Sequence, residues 1–176
     1  MKIFLDIDGV LNAYLHEHSS EEQRAVWQQD YALDQRLVDN FFHAVEQCFV
    51  RHNVIVEIVI SSAWRKLFKT RGEFKRLPQW ETWMPSYLAE DWRTKSLGRR
   101  GDEIDEWCHR NGYDGPIVVI DDEGCDLSGH QFLIKTAVYG GFSPLDGERL
   151  VNLVGVLNEN RNYKRPPHGV SQIPAS

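Results

Sequence analysis

The chain has only three cysteines in 176 residues, Cys48, Cys108 and Cys125, and no CxxC pair. An odd number without ligand spacing suits reduced thiols and argues against both a disulfide framework and a cysteine zinc site. No apolar run approaches the roughly 18 residues of a membrane span, and no basic amino-terminal segment leads into one. These absences predict a soluble, cytoplasmic protein without a membrane partner. There is no internal repeat. Positive charge is also in deficit: 20 Lys and Arg stand against 26 Asp and Glu, for a formal net charge of −6. That argues against nonspecific nucleic-acid binding by the whole surface. The deficit is uneven, however. From Arg65 to Arg100 there are ten Lys or Arg against four Asp or Glu, leaving ten against twenty-two elsewhere. The remaining composition, 41% hydrophobic and 26% charged, is that of one ordinary globular domain.

What is present centres on Lys2 to Asn12, KIFLDIDGVLN. Ile3, Phe4, Leu5 and Ile7 read as a strand buried on both faces of a parallel sheet. Asp6 and Asp8 stand at its carboxyl end, followed by Gly9. In open α/β sheets that end faces the ligand crevice, so two carboxylates there are well placed for chemistry and poorly placed for packing. Left unpaired they would cost several kcal/mol of desolvation, which a bound cation relieves. A carboxylate is a competent nucleophile at phosphorus once a divalent ion neutralises the phosphoryl oxygens, and a second carboxyl can protonate the leaving alcohol and then activate water. The plainer reading is a strand-to-turn junction using Asp and Gly for its geometry.

Downstream, Ser19 and Glu22 form a possible capping box, and His16 and His18 read as a solvated pair. Leu37, Val38, Phe41, Phe42, Val45 and Phe49 recur at helical spacing between Leu33 and His52, with Asp34 as N-cap. A β-branched strand, Val54 to Ile60, then ends in Ser61, Ser62, Ala63, Trp64 and Arg65. The hydroxyls and Arg65 can bind a phosphoryl oxygen, or the serines can cap the next helix. From Trp64 to Arg100 the basic excess is interleaved with Trp64, Trp80, Trp83 and Trp92, four of the six tryptophans. Two readings stand open: a stacking and phosphate-binding surface, in which Trp64, Lys66 and Trp92 would touch substrate, or a small satellite core with a charged rim. A helix follows over Arg99 to Gly112, then the strand Gly115 to Glu123 ending in Asp121 and Asp122, a strand over Phe132 to Thr136, and a closing helix over Leu145 to Leu157. Residues 1–158 form the predicted domain, and 159–176 a flexible tail.

LDIDGVLN, ISSAWR and VVIDDE, in that order, resemble motifs I, II and IV of the haloacid dehalogenase (HAD) superfamily of phosphatases. The resemblance implies a three-layer α/β sandwich around a mostly parallel Rossmannoid sheet, and since no long insertion follows motif I or motif II there is no room for a large cap domain. It implies Asp6 as the nucleophile, Asp8 as general acid and base, and Ser61 as the phosphoryl-binding hydroxyl, with Ser62 and Arg65 beside it. One of Lys95, Arg99 and Arg100 would be the motif III cation. Asp121 and Asp122 would complete a Mg²⁺ site with Asp6 and Asp8, the last through its carbonyl. The wording, including RRGDEIDEW and GGFS, is most similar to HAD domains of RNA-repair proteins and to polynucleotide 3′-phosphatases, although KTAVYGGFS matches them only in part. The expected substrate is thus a terminal 3′ phosphate of RNA or DNA. A nucleotide or small-metabolite phosphatase and a non-catalytic nucleic-acid- or protein-binding module are the alternatives.

Overall fold

The structure is a computed structural model that describes residues 1–14, 20–21, 33–124 and 126–160. His16, His18, the Ser19–Glu22 capping box, Cys125 and the tail from residue 161 lie wholly or partly outside the described residues. Elements in chain order are β1 (Lys2–Leu5), α1 (Gln35–His52), β2 (Glu57–Ile60), a 3-10 turn (Ala63–Lys66), α2 (Arg71–Phe74), α3 (Met84–Tyr87), β3 (Leu88–Arg93), α4 (Arg100–Arg110), β4 (Ile117–Asp121), β5 (Gln131–Lys135) and α5 (Pro144–Glu159).

All strand pairs are parallel, in the order β3-β2-β1-β4-β5, so β1 is central. The pairing sets Leu5 against Ile60 on one side and Ile120 on the other. Asp6, Ser61 and Asp121 therefore reach the same edge of the sheet on neighbouring strands. Alternation along β1 divides the core. Ile3 and Leu5 join α1, α5 and the segment after β2 in one cluster, while Phe4 faces Ile104, Trp107 and Cys108 of α4 in another. Layers on opposite faces of one sheet make the three-layer α/β sandwich that the sequence implied. Among the described residues no helix is long and apolar enough to cross a membrane.

Local signals explain the helix ends. Asp34 accepts from the Arg36 N–H at 2.9 Å at the start of α1, and Asn53 closes it in the left-handed conformation at φ 53°. Ser143 and Asp146 form a capping box at the start of α5, which runs two residues beyond the predicted Leu157.

Between Ser61 and Arg93 the tryptophan rings serve packing. Trp80 is fully buried, with its indole N–H on the Phe74 carbonyl at 2.9 Å, and the Phe74 ring lies 4.7 Å from Trp80 and 4.8 Å from Trp92. Trp83 stacks on Phe42 of α1 at 5.7 Å. Trp64 and Trp92 are 7% and 6% exposed, so neither offers a face on which a base could stack; the expectation that they touch substrate by stacking is corrected. The same segment contains β3, an edge strand missing from the sequence reading because LAEDWR carries two acids and a burial pattern broken at its middle. The second strand is likewise shorter than expected, beginning at Glu57 rather than Val54.

Candidate active site

Beyond Leu5 the chain folds into a tight loop. The backbone N–H groups of Val10, Leu11 and Asn12 converge on the Ile7 carbonyl at 3.1, 2.8 and 3.1 Å, and Gly9 N–H bonds the Asn12 carbonyl at 2.8 Å. Gly9 is required twice over: its φ is +75°, and a Cβ there would stand 2.3 Å from Asp122 Cγ. The segment after β5 clamps the loop from outside, through Thr136 Oγ1 donating to the Gly9 carbonyl at 2.9 Å and Phe142 N–H to Val10 at 2.7 Å. KTAVYGGFS, which matched the expected wording only in part, thus holds the first acidic loop in place.

Asp6, Asp121 and Asp122 each bring a carboxylate oxygen to within 4.8 Å of the others. Asp6 accepts from the Ile7 N–H at 2.9 Å through Oδ1, and its Oδ2 takes Arg100 Nη2 at 3.3 Å. Arg100 Nε lies 3.1 Å from Asp121 Oδ2. One guanidinium among three carboxylates leaves the group short of positive charge, and burial, then Asp121 and Asp6, push the Asp122 carboxyl up to about 6. An all-oxygen donor set with a deficit of positive charge fits a hard divalent cation such as Mg²⁺. The Asp8 carboxylate stands apart from the trio. Both its oxygens take the Trp64 indole N–H at 3.0 Å, and any part Asp8 plays in holding an ion falls to its backbone carbonyl. Burial raises the Asp8 pKa, with Trp64 and Asn12 opposing and Asp6 adding to the rise. Tyr14, unremarked in the sequence, belongs to the same field: its phenol is raised first by burial and then by Asp8, Asp122, Asp6 and Glu123.

The basic side sorts the remaining candidates. Ser61 is fully buried at the end of β2, and its Oγ has no hydrogen-bond partner, as suits a hydroxyl kept for a ligand. Ser62 instead caps the 3-10 turn, accepting from Trp64 N–H at 3.3 Å. Arg65, expected on a phosphate, is occupied: Nη1 donates to the Ser61 and Ser62 carbonyls and Nη2 takes both Glu103 oxygens at 2.9 Å. It fastens the end of β2 to α4. Lys95 is also corrected, since it pairs with Glu106 at 2.6 Å away from the acids, and Arg99 turns outward to Asp126 at 3.4 Å. Among the three motif III candidates, Arg100 alone meets the carboxylates. Lys66 is exposed on a cleft of about 480 Å³ whose wall also holds Arg100. Glu103, missed from sequence, is the hub of this side, accepting in addition from Leu97 N–H at 3.0 Å. Its only signal was helical spacing from Arg100.

No curated protein and no solved structure matches this chain. A family model does match over residues 2–146, from β1 to the first turn of α5. With the acids, the buried serine and the arginine in place around a five-stranded parallel sheet, the chain belongs to the HAD domains found in Swiss Army Knife RNA repair proteins.

Proposed function

We propose that this chain is a phosphomonoesterase that works through an aspartyl phosphate on Asp6 and removes a terminal phosphate, more readily 3′ than 5′, from a nucleic-acid end. The observation that carries the reading is the convergence of Asp6, Asp121 and Asp122 within 4.8 Å while the Asp8 carboxyl is held separately by Trp64. Asp6 attacks phosphorus, and the ester P–O bond breaks. Asp8 gives its proton to the departing alcohol oxygen, then takes one from the water that attacks the acyl phosphate and frees Asp6. Arg100 holds the Asp6 carboxylate and meets negative charge as it develops. Asp6, Asp121 and Asp122 would hold Mg²⁺, which when bound supplies neutralisation of the phosphoryl oxygens. The buried Ser61 hydroxyl is the donor offered to those oxygens.

A nucleotide or small phosphorylated metabolite is the second reading, favoured by the burial of Trp80 and Trp92, which leaves those rings unable to stack on bases. The test is phosphate release from 3′- and 5′-phosphorylated oligonucleotides, mononucleotides and sugar phosphates, with Mg²⁺ and with EDTA. Oligonucleotide 3′-phosphates should be the best substrates, EDTA should stop the reaction, and Asp6→Asn should lower turnover by at least about 10³-fold with the fold intact. Substantial turnover by Asp6→Asn, or full activity in EDTA, would refute the mechanism.

A further inference from the structure

A second cleft of about 510 Å³ adjoins the first and shares Arg65, Lys66 and Ser96 with it. Thr94 lines it, only 3% exposed, and its Oγ1 is buried with no hydrogen-bond partner. A buried orphan hydroxyl costs free energy that a ligand oxygen would recover. The Thr94 backbone N–H bonds the Ile60 carbonyl at 3.1 Å, so Thr94 stands beside Ser61. Asp6, Ser61 and Thr94 therefore follow the carboxyl ends of three successive strands, β1, β2 and β3. At a strand spacing of about 4.8 Å, Thr94 lies about 10 Å along that row from Asp6.

The charges around this cleft are selective. Lys95 and Arg110 are matched by Glu106, and the one carboxylate in the lining, Asp91, is held by Arg110 at 2.7 Å and Asn111 at 2.8 Å. Lys66 and Arg93 have no carboxylate partner among the described residues. Arg93 is fixed all the same, with Nη1 on the Arg65 and Phe68 carbonyls at 2.6 and 2.8 Å and its guanidinium 4.8 Å from the Trp92 ring centroid.

We infer that this cleft is a second anion subsite, in which Thr94, Lys66 and Arg93 bind the phosphodiester next to the terminal phosphate of a polynucleotide. The inference rests on reading the acid cluster as a phosphatase centre. It assigns recognition to the sugar–phosphate backbone, since Trp80 and Trp92 are too buried to stack. The Thr94 hydroxyl donates to a non-bridging oxygen, while Lys66 and Arg93 supply the charge.

The test compares catalytic efficiency on a 3′-phosphorylated dinucleotide, a nucleoside 3′,5′-bisphosphate and a nucleoside 3′-monophosphate, at low and moderate salt. The dinucleotide should exceed the monophosphate by about tenfold or more, the worth of one charged hydrogen bond. In Thr94→Val, a near-isostere, and in Lys66→Ala that ratio should fall towards one through KM. Lys66→Ala should also flatten the salt slope on the dinucleotide by about 0.7. A wild-type ratio near one, or an unchanged ratio in both variants with unchanged melting temperatures, overturns the subsite. A preference confined to the bisphosphate overturns its assignment to a polynucleotide. Should no substrate be turned over, the phosphatase reading falls, and the subsite is judged by calorimetric binding of an unphosphorylated dinucleotide: weaker binding to Lys66→Ala supports it, and equal binding overturns it.

Discussion

Beyond β1 and β4 three carboxylates crowd together and one guanidinium, that of Arg100, pairs with two of them, whereas between β2 and α4 several charges come matched, Arg65 with Glu103, Lys95 with Glu106, Arg110 with Asp91. The two sides of one crevice thus solve opposite problems. The acid side holds more negative charge than its one guanidinium offsets, and burial together with that charge raises the Asp122 carboxyl. On the basic side Arg65 and Lys95 hold the β2–β3 shoulder to α4 through Glu103 and Glu106, while Lys66 and Arg93 have no carboxylate partner among the described residues. A count of charges along the sequence sees two regions of opposite sign; only the pairing shows which one is self-sufficient.

The most disruptive way to break the contrast is to unmatch the matched side. Arg65 and Glu103 have side chains 7% and 6% exposed, so Glu103→Gln leaves a buried guanidinium without its counter-charge and should cost about 3–5 kcal/mol in denaturant unfolding. Replacing both, as Arg65→Met with Glu103→Leu, should recover much of that loss, because neither charge is then stranded. A cost under about 0.5 kcal/mol for Glu103→Gln, the range of a neutral surface change, would show that the pair fastens nothing.

The acid side should respond in the reverse sense, and to pH. In the folded chain the Asp122 carboxyl holds its proton up to about 6, above its ordinary value of 3.8. The folded state therefore binds more protons than the unfolded state between those values, and stability from this group is full below the lower one and lost as pH rises through about 6. In EDTA the melting temperature should rise as pH is lowered from 7 to 5, and Asp122→Asn should remove that gain. After discounting for the solvent that screens a half-buried carboxyl, the gain is about 1 kcal/mol. With Mg²⁺ added the slope should reverse, because the ion competes with the proton and stabilises the deprotonated folded form by mass action. The same slope with and without Mg²⁺ would mean that the trio holds no ion.

These two sides also differ in how far the sequence discloses them. Asp6, Asp8, Asp121 and Asp122 were legible because each pair directly follows an apolar strand, and parallel pairing of β1 with β4 then brings Asp6 beside Asp121 without any long-range guess. Ser61 was legible for the same reason. The role of Arg65 was not, since its partner Glu103 lies 38 residues away on another layer. Nor was β3, whose edge position tolerates the acids that disguise it. The tryptophans misled most: composition alone cannot separate rings that stack on a ligand from rings that stack on Phe42 and Phe74.

Trp64 is where the two sides meet, and it offers the finest test of the contrast. It belongs to the basic segment, yet its indole N–H spans both oxygens of the Asp8 carboxylate at 3.0 Å. That donor favours the charged form and opposes the rise that burial imposes on Asp8. Trp64→Phe keeps an aromatic ring and removes the donor, so the Asp8 carboxyl should hold its proton to higher pH. If Asp8 protonates the leaving alcohol, the alkaline limb of the kcat profile should move to higher pH. A packing role alone would lower the melting temperature and leave that limb in place. An unmoved limb with unchanged stability would separate Trp64 from the chemistry and leave the Asp8 acid to be sought through another donor.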